Sequence, residues 1–186
     1  QSNGLVETRT LKIRKRIYRV QSIEGLPRRK VTPDPKDLRR IRAERRQIVA
    51  ARAQTTSVPY FLPGFIWPAS GKISGVYGSQ RILNGQPRRP HLGLDIAAPE
   101  GTPVMAPVNG KVVLTHPGMF FNGKTIIMDH GLNLSSIFIH LSEIFVQVGD
   151  EVIKGQTIGE VGKSGRATGP HLHWGVRWKD IDLDPK

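Results

Sequence analysis

The sequence predicts a mainly β fold, a compact antiparallel sheet or sandwich preceded by a small strand-plus-helix N-terminal segment. Three observations carry that prediction. From Ile66 onward the apolar residues fall in short extended runs separated by Gly, Pro and Asn, the punctuation of strands and turns. No stretch after Gln54 holds the 3.6-residue period over a helix length. The one clear helical pattern, from about Pro35 to Gln54, is introduced by Pro33-Asp34-Pro35, with Pro suited to a first helical turn.

In chain order, Gln1-Ser2-Asn3 reads as a protease-site scar on a cut or engineered N-terminus and is set aside. Alternation at Leu11-Lys12-Ile13-Arg14 and Ile17-Tyr18-Arg19-Val20 predicts strands that end near Gly25-Leu26-Pro27. In the helix, Leu38, Ile41, Arg45, Ile48 and Val49 form a narrow apolar stripe interrupted by Arg, enough to pack one face on a neighbouring domain. The turn formers from Thr55 to Gly64 then mark a linker, whose aromatics Tyr60, Phe61 and Phe65, with Trp67, are expected to pack onto the C-terminal domain. The expected division is a basic N-terminal segment at 1–57, part of a larger region, a linker at 58–66 and a β domain at 67–186. Within that domain the predicted strands include 104–106, 110–114, 124–128, 136–140, 151–153 and 157–161, with Gly149-Asp150 and Lys154-Gly155 as turns.

Composition narrows the function classes. A chain of 186 residues holds one good core plus a smaller appendage. It contains no cysteine, so disulfides and thiolate zinc fingers are excluded. No apolar run reaches membrane-spanning length. Of the net charge of +13, residues 1–57 hold +11 and residues 58–186 only +2. The basic character thus belongs to the N-terminal segment, where a solvated helix and a contact with a polyanion are equally good readings. Nucleic acid is not the expected polyanion, because Tyr18 is the segment's sole aromatic residue and stacking readout needs several.

Two short motifs carry chemistry. In His171-Leu172-His173-Trp174 the two histidines lie two apart, so on a strand they share a face. In His91-Leu92-Gly93-Leu94-Asp95 the polar ends share a face if the run is extended, and Gly93 between them leaves room. Bringing the motifs together gathers two or three imidazoles and one carboxylate, a set that suits zinc. Three protein ligands leave a position for water, as in hydrolytic sites. One imidazole of His171 and His173 is expected on the metal, with the other free for proton transfer. Strand alternation puts Ile137, Ile139 and Leu141 on one face and Ser136, Phe138 and His140 on the other, so His140 is expected at the cleft. His116 and His130 read as hydrogen-bonded surface residues. Gly162-Lys163-Ser164-Gly165 lacks the spacing and following helix of a phosphate loop.

From about Trp67 to Pro185 the chain resembles the lysostaphin/LytM-type zinc metallopeptidases that cut peptide cross-links of bacterial cell walls. The resemblance rests on His91-Leu-Gly-Leu-Asp95, Ala98 to Val104, His140-Leu141-Ser142, Val148 to Gln156 and Gly165 to His173, in that order. It implies an antiparallel peptidase domain that binds one Zn2+ per chain through His91, Asp95 and His173, with His140 and His171 acting beside it. It also implies an endopeptidase acting on peptidoglycan cross-links. The N-terminal segment resembles the linker-and-helix region of Gram-negative envelope proteins, which points to the D-alanyl–diaminopimelate bond and to the periplasm or cell envelope. A monomer is expected, regulated by an upstream domain or an envelope partner.

Two departures from the family pattern stand out. Phe138 occupies a position where members often carry Tyr. Where others place an oxyanion-steadying Tyr before the first ligand, residues 80–89 offer Arg81, Asn84, Arg88 or Arg89, and this loop could instead hold stem-peptide carboxylates. The alternative function is a non-catalytic or autoinhibited wall-binding or amidase-regulating module, against which all five site residues are present. A biotinyl/lipoyl carrier is disfavoured because the hairpin near Val148 to Gly159 lacks the modifiable Lys between Met residues.

Overall fold

A computed structural model of the chain describes residues 10, 12 and 16–186. The strand expected at Leu11–Arg14 lies outside the described residues. The second expected N-terminal strand is displaced: Ile17–Arg19 is irregular and β1 runs Val20–Ile23. It pairs in parallel with β3 (Gln80–Leu83), which forms a hairpin with β4 (Gln86–Pro87). The two-residue connection Asn84-Gly85 has φ of 45° and 75°, the left-handed values that Asn-Gly supplies in tight hairpins. Residues 80–89 are therefore largely hairpin rather than loop. Asn84 also hydrogen-bonds the backbone of Leu26 in both directions, at 3.2 and 2.7 Å, and so ties the N-terminal segment down.

A short turn of helix, α1 (Arg28–Val31), precedes α2 (Pro35–Arg52). The buried line of α2 differs from the expected stripe. It runs Asp37, Ile41, Glu44, Ile48 and Ala51, while Leu38 and Val49 are exposed. Two carboxylates sit on the packed face because each is satisfied there. Asp37 accepts from Arg29 at 2.5 Å, and Glu44 accepts the Phe120 backbone N–H at 2.8 Å and Arg40 at 2.6 Å. Hydropathy alone, blind to those partners, finds Ile41 and Ile48 but rotates the rest of the stripe away from Asp37, Glu44 and Ala51.

Ten strands form one antiparallel sheet. Its main path runs β10 (Glu151–Val152), β7 (Gly110–Met119), β8 (Gly123–Asp129), β9 (Leu134–Ile144), β12 (His171–Trp178), β5 (Leu94–Ala97) and β2 (Lys72–Gly75). β11 (Thr157–Val161) pairs with both β9 and β6 (Pro103–Met105), and β13 (Ile181–Leu183) pairs with β12. The sheet folds over so that Leu94, Ile96, Phe138, Leu172 and Trp174 meet Val104, Ile158 and Val161 in one dry core. Burying each such side chain contributes roughly 1.5–3 kcal/mol. Residues preceding β2 close this core from outside: the Phe65 and Trp67 rings lie 6.3 Å from Trp174.

The opposite face of the sheet is divided. Ala51 and Ile48 of α2 cover Val113, Leu114, Ile127, Ile137 and Ile139. Beyond Ile139, toward β12 and β5, the same face carries the polar residues of the site.

Candidate metal centre

Strand register lines up the site. His173 on β12 stands directly between Ile139 of β9 and Asp95 of β5, and Asp95 stands opposite Gly75 of β2. Residues opposite one another in a sheet share a face, so His173 and Asp95 point away from the core that receives Leu172 and Ile96. His171 follows the same period, across from Ala97.

His91 lies before β5 rather than on a strand, held by its backbone, which donates to Ser79 and accepts from Gly78. Its Nδ1 sits 3.1 Å from the Val76 carbonyl, so that nitrogen carries the proton and Nε2 presents a lone pair. Three donor atoms then converge. His91 Nε2 and His173 Nδ1 are 2.8 Å apart, and Asp95 Oδ1 lies 3.0 Å from the first and 2.8 Å from the second. Tetrahedral bonds of about 2 Å space their ligand atoms by about 3.3 Å, close to this triangle. Two imidazole nitrogens and one carboxylate oxygen are a zinc-type donor set, so the residues fit such an ion.

Two glycines make the approach possible. A Cβ on Gly93 would lie 2.7 Å from His173 Cε1 and 2.7 Å from the Trp174 carbonyl oxygen. One on Gly75 would lie 2.5 Å from Asp95 Oδ2. That second carboxylate oxygen is contacted by the Arg81 guanidinium. Burial alone would raise the Asp95 carboxyl, but hydrogen bonds to His173 and His91 and the charge of Arg81 hold it well below the usual carboxylate range. Burial likewise lowers His173.

His140 reaches the site by a route that alternation does not describe. Between β8 and β9 the register passes from Ile126↔Phe138 to Lys124↔Leu141, two residues on one strand against three on the other. The extra residue makes a bulge, with His140 at φ 67°. Phe138 and Leu141 consequently both enter the core, while Ile139 and His140 both border the cleft. Leu141 thus leaves the Ile137 and Ile139 face it was expected to share. Phe138 points away from the site, so its lack of a hydroxyl has no direct bearing on the chemistry.

The His140 and His171 rings pack with centroids 4.7 Å apart, and His140 lies 6.4 Å from His173. His140 Nδ1 is 2.8 Å from the Ser164 carbonyl, and His171 Nδ1 is 2.9 Å from that of Gly169. In both, Nδ1 carries the proton and Nε2 is the lone-pair nitrogen, which among the described residues has no hydrogen-bond partner. Burial, with the neighbouring His171 and His173, pushes His140 down to about 3, so it is neutral at ordinary pH.

The other histidines resolve differently. His130 is fully buried rather than on the surface, with Nδ1 2.9 Å from Asn109 O and Nε2 2.8 Å from Ser136 Oγ. His116 is half-buried and accepts the Gly118 N–H at 3.0 Å. Of the four candidates to steady an oxyanion, Asn84 is committed to Leu26, and Arg81 to Asp95. Arg88 and Arg89 border a cavity of about 450 Å³ beside His91, His140 and His173. Sequence reasoning missed Arg166, which borders this cavity and the adjoining one of about 250 Å³ beside His171.

A folded antiparallel sheet bearing a His-Asp-His triangle beside two imidazoles with free nitrogens defines a metallopeptidase. The chain belongs to peptidase family M23, whose model matches residues 89–185. It is 45% identical over 87 residues to the peptidoglycan DD-endopeptidase ShyA of Vibrio cholerae, a match covering 46% of this chain and 20% of ShyA. An M23-type peptidase structure from Pseudomonas aeruginosa superposes with a TM-score of 0.72 at 42% identity, over 81% of this chain and 61% of that one. A zinc-containing peptidase from Vibrio cholerae does so with a TM-score of 0.59 at 31% identity, over 63% and 37%. The matches span 18% to 38% of the length of the curated relatives. No helix among the described residues is long and apolar enough to cross a membrane.

Proposed function

We propose that this chain is a zinc-dependent endopeptidase that hydrolyses peptide cross-links of bacterial peptidoglycan, at the D-alanyl–diaminopimelate bond. The observation that carries the reading is the convergence of three donor atoms within about 3 Å of one another beside His140 and His171. The DD-endopeptidase activity in the names of its relatives supports the choice of bond. In this reading residues 67–186 form the catalytic unit, 58–66 the linker and 1–57 part of a longer N-terminal region. The protein acts in the periplasm or cell envelope as a monomer.

His91, Asp95 and His173 would hold one zinc, which when bound supplies Lewis acidity toward the scissile carbonyl and toward water. Arg81 holds Asp95 Oδ2 and so leaves Oδ1 to face the two imidazoles. The carbonyls of Ser164 and Gly169 fix the tautomers of His140 and His171, so each offers Nε2 as a base. One of them takes the proton of the attacking water; the paired rings can then return a proton to the leaving amine.

The test incubates zinc-loaded and chelator-treated protein with Gram-negative sacculi and resolves the released muropeptides. Conversion of cross-linked dimers to monomers only in the zinc-loaded sample is the expected result. Stoichiometric zinc without conversion would favour a wall-binding or regulatory role.

A further inference from the structure

The cleft beside the metal centre is strongly cationic. Arg81, Arg88, Arg89 and Arg166 border its two lobes, and among the described residues lining them Asp95 is the single carboxylate. Asp95 is already shared by Arg81, His91 and His173. Arg88 is fixed by backbone carbonyls, including Val31 at 2.8 Å. Arg166 lies where the lobes meet and is half-buried, yet its guanidinium makes no hydrogen bond or ion pair with any described residue. Its one marked contact is the Phe121 ring, 4.4 Å from Cζ. Stacking occupies a face of the guanidinium and leaves the in-plane N–H groups free for a planar acceptor. Burial and the like charges of Arg81 and Arg88 make Arg166 costly to keep charged. An incoming carboxylate would offset that cost.

We infer that Arg166, supported by Arg88, forms a carboxylate-binding subsite that selects cross-links bearing a free carboxylate next to the scissile bond. The inference rests on the endopeptidase reading above and sharpens its substrate class. A diaminopimelate on the amine side carries such a carboxylate on the carbon that bears the scissile nitrogen. A lysine or an oligoglycine bridge at that place carries none.

Binding tests this without turnover. The probes are two diaminopimelate tripeptides, one with that carboxylate free and one with it amidated, titrated by calorimetry into zinc-loaded protein. The free acid is expected to bind roughly ten- to a hundredfold more tightly, the worth of a charge-assisted bidentate contact. R166Q, checked for zinc content and thermal midpoint, should reduce the free acid to the affinity of the amide. R166K should recover only part, because the ammonium lacks the planar fork. Equal binding of acid and amide by the wild-type protein would overturn the subsite even if sacculi are cleaved. If R166Q does not fold, that wild-type comparison still decides, with R88Q as the second variant. A carboxylate preference in a protein that cleaves no cross-link would instead leave the subsite standing and sink the endopeptidase reading.

Discussion

Two buried histidines lie at opposite ends of strand β9, and their surroundings differ in the three respects on which the proposed mechanism depends. His130 precedes the strand and is bonded at both nitrogens, to Asn109 and Ser136. His140 lies toward its other end and is bonded at Nδ1 alone. Burial depresses both, to about 4 and about 3, so both are neutral at ordinary pH. Depression of the pKa therefore does not mark function here. In the proposed mechanism what sets His140 apart is an Nε2 with no hydrogen-bond partner among the described residues, a neighbouring imidazole and a backbone at φ 67°.

The sharpest way to break the comparison is to exchange the losses. H140A should reduce turnover of cross-linked muropeptides by at least about a thousandfold while zinc stays stoichiometric and the fold intact. Loss of zinc in that variant would place His140 among the metal ligands. H130A should do the reverse, costing about 2–4 kcal/mol in denaturant unfolding with no change in zinc affinity.

A smaller effect separates the proposed ligand triangle from the strand that carries it. The Cβ of G93A would meet the His173 ring and the Trp174 carbonyl, both at 2.7 Å. The ring must turn, and competition with a chromogenic chelator should show zinc affinity down by roughly ten- to a hundredfold. Unchanged affinity would mean that His173 is not needed for the metal.

These contrasts also show what the sequence makes legible. His171 and His173 lie on one face because a strand has period two, and Gly93 stands between His91 and Asp95 where the His173 ring needs space. Those relations are local and survive in a string of letters. The bulge is not local. Nothing in Ser136 to Leu141 announces that His140 takes a left-handed conformation, because that follows from the offset between β8 and β9. The packed face of α2 escapes a hydropathy pattern for a similar reason. Asp37 and Glu44 are buried only because Arg29 and the Phe120 N–H await them, and Phe120 lies 76 residues beyond Glu44. The Asn84-Gly85 turn has the letters of a hairpin, but its parallel partner β1 has no such mark, since parallel pairing has no turn to signal it. Arg166 lies within the Gly165 to His173 run that carries the family resemblance, but its letter there assigns it no role, and it becomes visible only as a cation without a partner among the described residues.

Acid should expose the structural histidine. His130 titrates near 6.5 when unfolded and about 4 when folded. Between those values the unfolded chain binds the extra proton, so stability rises with pH there. The contribution is complete above about pH 6.5 and is lost as pH falls toward 4. At pH 5 the loss should be about 2 kcal/mol relative to pH 7.5. His140 in the metal-free chain adds a loss of the same sign, so the difference between wild-type protein and H130Q isolates His130. Urea midpoints at the two pH values, both without metal, measure it. An identical pH dependence in the two proteins would show that His130 is not the group responsible.

The least disruptive change tests the face assignment directly. Phe138 is fully buried opposite Trp174 and Ile126, on the side of the sheet away from His173. F138Y introduces the Tyr that the family resemblance leads one to expect at this position. Its hydroxyl would enter an apolar cluster rather than the cleft, and an unpartnered hydroxyl there should cost about 1–3 kcal/mol. Turnover and zinc content should stay within about twofold of wild type. A large gain in turnover would show that residue 138 reaches the reacting groups and that β9 lacks the bulge separating Phe138 from His140. A loss of stability with turnover unchanged is the outcome that the register of β8 and β9 requires, since one strand cannot present positions 138 and 140 to the same side once the extra residue lies between Phe138 and Leu141.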